Sequence, residues 1–186
     1  MVNSAFQLFL LRGQPFLQFN FPQWQSVLTI SLIGALVGLD PSLRAPQPVG
    51  PILPLWFVVG TSLVMVWLTF LVITAVLRWW MMRGSRWDGQ GDLFNLVAAA
   101  SLVADVLGAS LVAMGVPGLL TFPLWLYSLW VGGNALSGAA PKASRAYCVS
   151  GIVIGLIPAM LVSGLVMALG GAVFSLLGGV PVPSGA

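Results

Sequence analysis

Long apolar runs separated by short polar loops dominate this chain. The longest run, ILPLWFVVGTSLVMVWLTFLVITAVLRWW at 52–80, carries no charge before Arg78. About 20 apolar residues suffice for a helix to cross the roughly 30 Å hydrocarbon core of a bilayer. On this basis the pattern predicts an all-α membrane bundle with five transmembrane helices, at 24–39, 52–80, 93–116, 119–136 and 146–169.

The ends of the chain differ from this membrane domain, which we place at 24–178. Residues 1–23 are rich in phenylalanine but broken by glycine and proline. Aromatic side chains anchor in the headgroup region, so an interfacial amphipathic segment is predicted there. The alternative is that these side chains pack on neighbouring helices. Residues 179–186 are predicted to form a flexible tail.

The basic residues indicate the orientation of the bundle. Arg44 alone falls on one side of the predicted spans, and six fall on the other: Arg12, Arg78, Arg83, Arg86, Lys142 and Arg145. Cytoplasmic loops carry the excess of Lys and Arg. The N-terminus is therefore predicted to be cytoplasmic and the C-terminus outside. Asp92, directly before the third run, suits the N-cap of a helix.

Composition excludes several classes of function. Only 6% of the residues are charged, against about 25% in soluble domains. There is no histidine, one cysteine and four scattered aspartates, so no ligand set for haem, zinc or an iron–sulfur cluster is apparent. No catalytic nucleophile with a base is recognisable, and the basic residues are too few for a nucleic-acid surface. We therefore predict no cofactor, no metal, no nucleic-acid partner and no enzymatic activity.

Asp105 is unusual because it falls about halfway along the third predicted span. A charge at that depth costs at least about 2.5–3.5 kcal/mol, so the protonated acid is the cheaper form. It could then hydrogen-bond Ser101, one turn earlier, or an amide on another helix such as Asn134; Asn95 is the other intramembrane amide. Three roles remain open: structural hydrogen bonding, contact with a partner subunit, and transport. The structural role leads, because a transporter usually needs several polar groups converging on one site.

Small residues predict where helices approach closely, since packing and hydrogen bonds must replace the hydrophobic drive in lipid. Ala100, Ala104 and Gly108 recur every four residues on one helix, and Gly151 and Gly155 do so on the fifth. Ordinary helix packing explains these stripes better than a permeation path. Pro158 removes a backbone hydrogen bond and predicts a kink in the fifth helix.

Two segments carry a family resemblance: LLTFPLWLYSLWVGGNALSGAAPKASRAYCVSGIVIGLI and RWDGQGDLFNLVAAASLVADVLGASLV. Over roughly residues 20–170, the layout of the chain bears a resemblance to the Yip1 family of small five-span membrane proteins. It implies a non-enzymatic protein that acts through partners, and no catalytic residue can be carried over from the family.

The leading functional prediction is an accessory, assembly or scaffold subunit of the bacterial inner membrane. Its partners would be the lipid bilayer and other membrane subunits, or further copies of itself, bound through helix–helix contacts. The alternative is a small transporter or channel that uses Asp105.

Overall fold

The computed structural model describes residues 1–44 and 53–176, and this part of the chain is entirely helical, with no β-strand. The all-α prediction is confirmed to that extent. The six α-helices are α1 Val2–Phe9, α2 Gln23–Gly38, α3 Leu55–Arg83, α4 Leu93–Ala113, α5 Gly118–Ala139 and α6 Arg145–Leu176. Two 3-10 helices follow α1 and α2, at Phe16–Phe19 and Pro41–Arg44. The predicted tail at 179–186 lies outside the described residues.

Among the described residues, three helices are long and apolar enough to cross a membrane: α3, α4 and α6. Helix α2 is apolar but has only 16 residues. Helix α5 has 22 residues, and its Pro, Tyr, Ser, Gly and Asn lower its apolar character. Length and composition alone thus establish three candidate membrane helices. They do not identify α2 or α5 as membrane-spanning.

Several predicted boundaries can be compared with these helices. Asp92 is the N-cap of α4, with its carboxylate accepting from the Asn95 backbone N–H at 2.9 Å, as predicted. Gly115, with φ of 90°, lies in the tight turn between α4 and α5. Helix α6 continues to Leu176, beyond the predicted end at residue 169. The glycines at 170 and 171 therefore extend α6 rather than ending it.

The five long helices form a closed ring. Helix α2 packs on α3, α3 on α6, α6 on α5, α5 on α4, and α4 back on α2. Because consecutive helices alternate in direction, the N-terminal segment lies at the end where α3 and α5 finish and α4 and α6 begin. Helix α1 packs there against α4 and α5.

The two ends of this ring are packed very differently. At the N-terminal end, which we call the packed end, large side chains are fully buried, including Leu8, Phe19, Met81, Leu96 and Leu136. At the opposite end, which we call the loose end, no residue between 118 and 130 of α5 or between 160 and 176 of α6 is buried within the protein.

The predicted small residues lie between helices. Ala100 and Ala104 of α4 are buried, and Gly108 faces Leu124 of α5. Gly155 lies against the α3 backbone at Ile73. A Cβ added at Gly151 would lie 2.6 Å from Cδ1 of Trp80, whose Nε1 donates to the Tyr147 carbonyl at 3.2 Å. Pro158 is half-buried inside α6, which continues through it as one helix.

Gly151→Ala should lower the free energy of unfolding by about 1–3 kcal/mol, since the added methyl group overpacks against a held indole ring. Gly164→Ala is the matched control on the same helix, because a Cβ there meets nothing within 4 Å. That control should be neutral or stabilising by up to about 1 kcal/mol. Thermal unfolding in mild detergent measures both, and equal melting temperatures for the two variants would contradict this packing.

Candidate functional site

A cavity of about 270 Å³ lies inside the ring. All five long helices contribute to its lining. The walls are mainly apolar and include Ile30 and Ile33 of α2, Phe70 and Ile73 of α3, Val97 and Ala100 of α4, Leu129 and Gly132 of α5, and Ile152 and Leu156 of α6. A space of this kind, apolar with a few polar groups, is the usual form of a small-ligand site.

The polar groups of the cavity come from four different helices. They are Thr69 of α3, Ser101 and Asp105 of α4, Ser128 of α5 and Ser163 of α6. The hydroxyls of Thr69 and Ser163 are 3.0 Å apart and hydrogen-bond to each other. The hydroxyls of Ser101 and Ser128 are the polar neighbours of the Asp105 carboxyl. Asp105 is therefore the one ionisable side chain in the lining, with hydroxyls on two sides.

The cavity closes towards the packed end and reaches the surface at α5. Three leucines line it on the packed side: Leu77, Leu96 and Leu136. Each leaves at most 1% of its surface exposed. Trp125 also lines it but leaves 42% of its surface exposed, so this indole lies at the mouth. Gly132 and Gly133 of α5 face Ile152 and Val149 of α6, and these contacts lie on the packed side of Trp125.

The predicted site residues separate into two groups. Asp105 and Ser101 lie in the cavity, whereas Asn95 and Asn134 lie at the packed end. The expected pairing of Asp105 with Asn134 does not form. Asn134 lies six residues beyond Ser128 along α5, about 9 Å at 1.5 Å per residue. The α5 hydroxyl that lines the cavity with Asp105 is that of Ser128.

Asn95 is a buried structural centre rather than a cavity residue. Its Nδ2 donates to the carbonyls of Phe19 at 3.0 Å and Phe21 at 2.8 Å. Its Oδ1 accepts from the Ser26 hydroxyl at 2.6 Å. With 1% of its surface exposed, Asn95 has all of its polar atoms paired within the protein. This side chain ties the start of α4 to the N-terminal segment and to α2.

Two α5 side chains hold the preceding part of the N-terminal segment. Asn134 Nδ2 donates to the Leu11 carbonyl at 2.8 Å, and the Tyr127 hydroxyl donates to the Phe9 carbonyl. These carbonyls lie at and just beyond the C-terminus of α1, where no backbone N–H of the helix can pair with them. Residues 9–21 are thus fastened to α4 and α5, with Phe19 buried beneath them, while Leu17 leaves 85% of its surface exposed. Packing on neighbouring helices, the alternative left open for residues 1–23, accounts for Phe19.

Ser128 is the cavity residue that the sequence analysis missed. Trp125, Ser128, Gly132 and Leu136 recur at three- and four-residue intervals, so they share one face of α5. That periodicity shows that one face of α5 carries a hydroxyl group. It does not show which helix that face packs against.

No protein-family model, curated protein sequence or solved structure matches this chain. The resemblance to the Yip1 family stays a prediction, and the functional argument rests on the residues themselves.

Asn95→Leu should strongly destabilise the protein, because it leaves the Ser26 hydroxyl and two buried carbonyls without their partner. Each such group costs about 1–3 kcal/mol. Asn134→Leu, which removes one hydrogen bond, should cost less. The control is Asn3→Leu, at an exposed position of α1, and thermal unfolding of the three variants compares their stability. If the Asn95→Leu and Asn3→Leu variants have the same melting temperature, Asn95 is not the structural centre described above.

Proposed function

We propose that this chain is a small integral membrane transporter or channel in which Asp105 binds the transported proton or monovalent cation. The observation that carries the proposal is the convergence of the Asp105 carboxyl with the hydroxyls of Ser101 and Ser128 in one cavity. The sequence argument against transport was the lack of converging polar groups. The ring of helices supplies that convergence from segments far apart in the chain.

The proposed arrangement places all five ring helices across the membrane, with the packed end cytoplasmic. Its support is the position of the basic residues: six of the seven lie at the packed end, and Arg44 follows the other end of α2. Helix α5 fits as a span despite its lower hydropathy, because part of its polar content, including Ser128, faces the cavity and not lipid. Helix α2, with 16 residues, would cross about 24 Å, which a locally thinned bilayer accommodates.

The chemistry of the cavity suits a small positively charged solute. Ionisable groups inside membranes are costly, and they mark proton relays and ion pathways when they face an interior cavity. A carboxyl there is neutral when protonated, and its ionised form is balanced when it holds a cation. Hydroxyl oxygens replace part of the hydration shell of such a cation, as carbonyl oxygens do in selectivity filters.

Passage across the membrane also requires the packed end to open. Leu77, Leu96 and Leu136, from α3, α4 and α5, close the cavity on that side. In the proposed mechanism these three side chains separate while the cavity mouth near Trp125 closes. The structure then corresponds to the state that opens away from the packed end.

An accessory or scaffold subunit of the bacterial inner membrane, as the Yip1 resemblance implies, is the second proposal. It is supported by the loose end, where the last half of α6 presents large apolar side chains and buries none. Purification from the native membrane in mild detergent, with mass spectrometry of what co-migrates, tests it. A stoichiometric partner would support it, and a protein that runs alone would contradict it.

Asp105→Asn should abolish ion movement, because the amide cannot exchange a proton or balance a cation. The measurement is the transient current of proteoliposomes on a solid-supported membrane after concentration jumps of H⁺, Na⁺ or K⁺. Asp40→Asn is the control, because Asp40 lies beyond α2 and its carboxylate accepts only from the Ser42 N–H in the described structure. Ser128→Ala should reduce the current without abolishing it.

Two outcomes would contradict the transport proposal. One is the absence of any current above that of protein-free vesicles for all three ions. The other is a wild-type current in correctly folded Asp105→Asn protein, checked by its melting temperature.

A further inference from the structure

We propose that a second, larger crevice at the packed end binds the headgroup of an anionic phospholipid. The crevice measures about 1030 Å³ and lies between the N-terminal segment, the end of α3, the loop before α4 and the loop after α5. None of its lining residues also lines the Asp105 cavity, and the site is independent of the transport proposal. Its composition, basic at one side and apolar at the other, matches an amphiphile.

Three basic side chains supply the positive side: Arg78, Arg86 and Lys142. Arg86 is held in place, because its Nη1 donates to the Lys142 carbonyl at 3.2 Å and its guanidinium lies 5.0 Å from the centre of the Tyr147 ring. This contact also joins the two loops that carry the charges. Arg78 projects from α3 with an exposed side chain.

Two carboxylates, Asp88 and Asp92, also line the crevice, and each accepts a backbone hydrogen bond from a nearby residue. Asp88 accepts from the Gln90 backbone N–H at 2.9 Å, and Asp92 caps α4. The formal balance of the lining is therefore three positive charges against two negative ones. This net positive charge favours a phospholipid whose headgroup is anionic overall. A headgroup in which an amine balances the phosphate is neutral overall and is attracted less.

The apolar wall begins directly beside the charges. Leu71, Thr74, Ala75 and Arg78 lie at intervals of one helical turn on α3, so one stripe runs from an apolar surface to a guanidinium. An acyl chain lying on Leu71 would place its phosphate near Arg78. A free phosphate ion would leave this wall unused. Basic crevices between membrane helices at a cytoplasmic surface are recurrent sites for acidic lipids.

The remaining wall is formed by the loop before α4, which is held against the N-terminal segment by specific contacts. The rings of Phe16 and Trp87 stack at 5.5 Å, and Trp87 Nε1 donates to the Gln90 carbonyl at 2.6 Å. A Cβ added at Gly91, whose φ is 90°, would lie 2.6 Å from Cγ of Phe16. The loop before α4 therefore needs glycine there to close on the N-terminal segment. This closure gives the crevice a defined shape.

The test is retention of lipid by the purified protein, measured by native mass spectrometry during titration with phosphatidylglycerol, phosphatidylethanolamine or phosphatidylcholine. Wild type should prefer phosphatidylglycerol. The double variant Arg78→Gln/Lys142→Gln should weaken that binding roughly 30-fold, from the combined loss of two basic side chains near the lipid surface. Arg12→Gln/Arg145→Gln is the matched control, because it removes the same charge at the same end but outside the crevice.

Three results would overturn the proposal. Equal binding of phosphatidylglycerol and phosphatidylcholine would remove the anionic selectivity. Equal weakening by the two double variants would show a diffuse charge effect with no crevice site. Inorganic phosphate that raises the melting temperature as much as phosphatidylglycerol, and competes with it, would assign the site to a free anion.

Discussion

The fold depends on how the non-helical backbone at its packed end satisfies its hydrogen bonds. Residues between α1 and α2 carry carbonyls that no helix can pair. Unpaired backbone groups are prohibitive in lipid and costly in any buried position. Asn95 and Asn134 donate to three of those carbonyls, and Tyr127 donates to the carbonyl of Phe9, the last residue of α1. The segment thereby becomes a plug for the helix ring, and Phe19 and Leu8 fill the space beneath it.

The difference between the two ends of the ring follows from that plug. At the packed end, three leucines meet below the plug and close the cavity. At the loose end no comparable segment crosses the ring in the described residues, and neither residues 118–130 of α5 nor residues 160–176 of α6 are buried within the protein. Polar groups in the two regions then have different roles. Asn95, Asn134 and Tyr127 at the packed end donate to backbone carbonyls and are structural, whereas Asp105 lines the cavity together with Ser101 and Ser128.

Local sequence features predicted the positions of the helices well, but they predicted poorly which side chains of different segments come together. Apolar runs located all five long helices, and the N-cap at Asp92 was read correctly because capping depends on only four residues. The glycines after residue 169 left open whether α6 continues, and the structure extends it to Leu176, with Gly170 packed on Thr61 and Phe174 on Phe57. The pairing of Asn134 with Leu11 spans 123 positions, and the approach of Ser128 to Asp105 depends on how α4 packs on α5. Hydropathy carries no information about either relation.

Helix α3 connects the cavity to the crevice. One of its faces presents Thr69, Ile73 and Leu77 to the cavity, and another presents Leu71, Ala75 and Arg78 to the crevice. Leu77 and Arg78 are consecutive on a rigid helix. A displacement of α3 that withdraws Leu77 from Leu96 and Leu136 must therefore also move Arg78 relative to Arg86 and Lys142. A movement of α3 that carries both residues would therefore couple the closure of the cavity to the shape of the crevice.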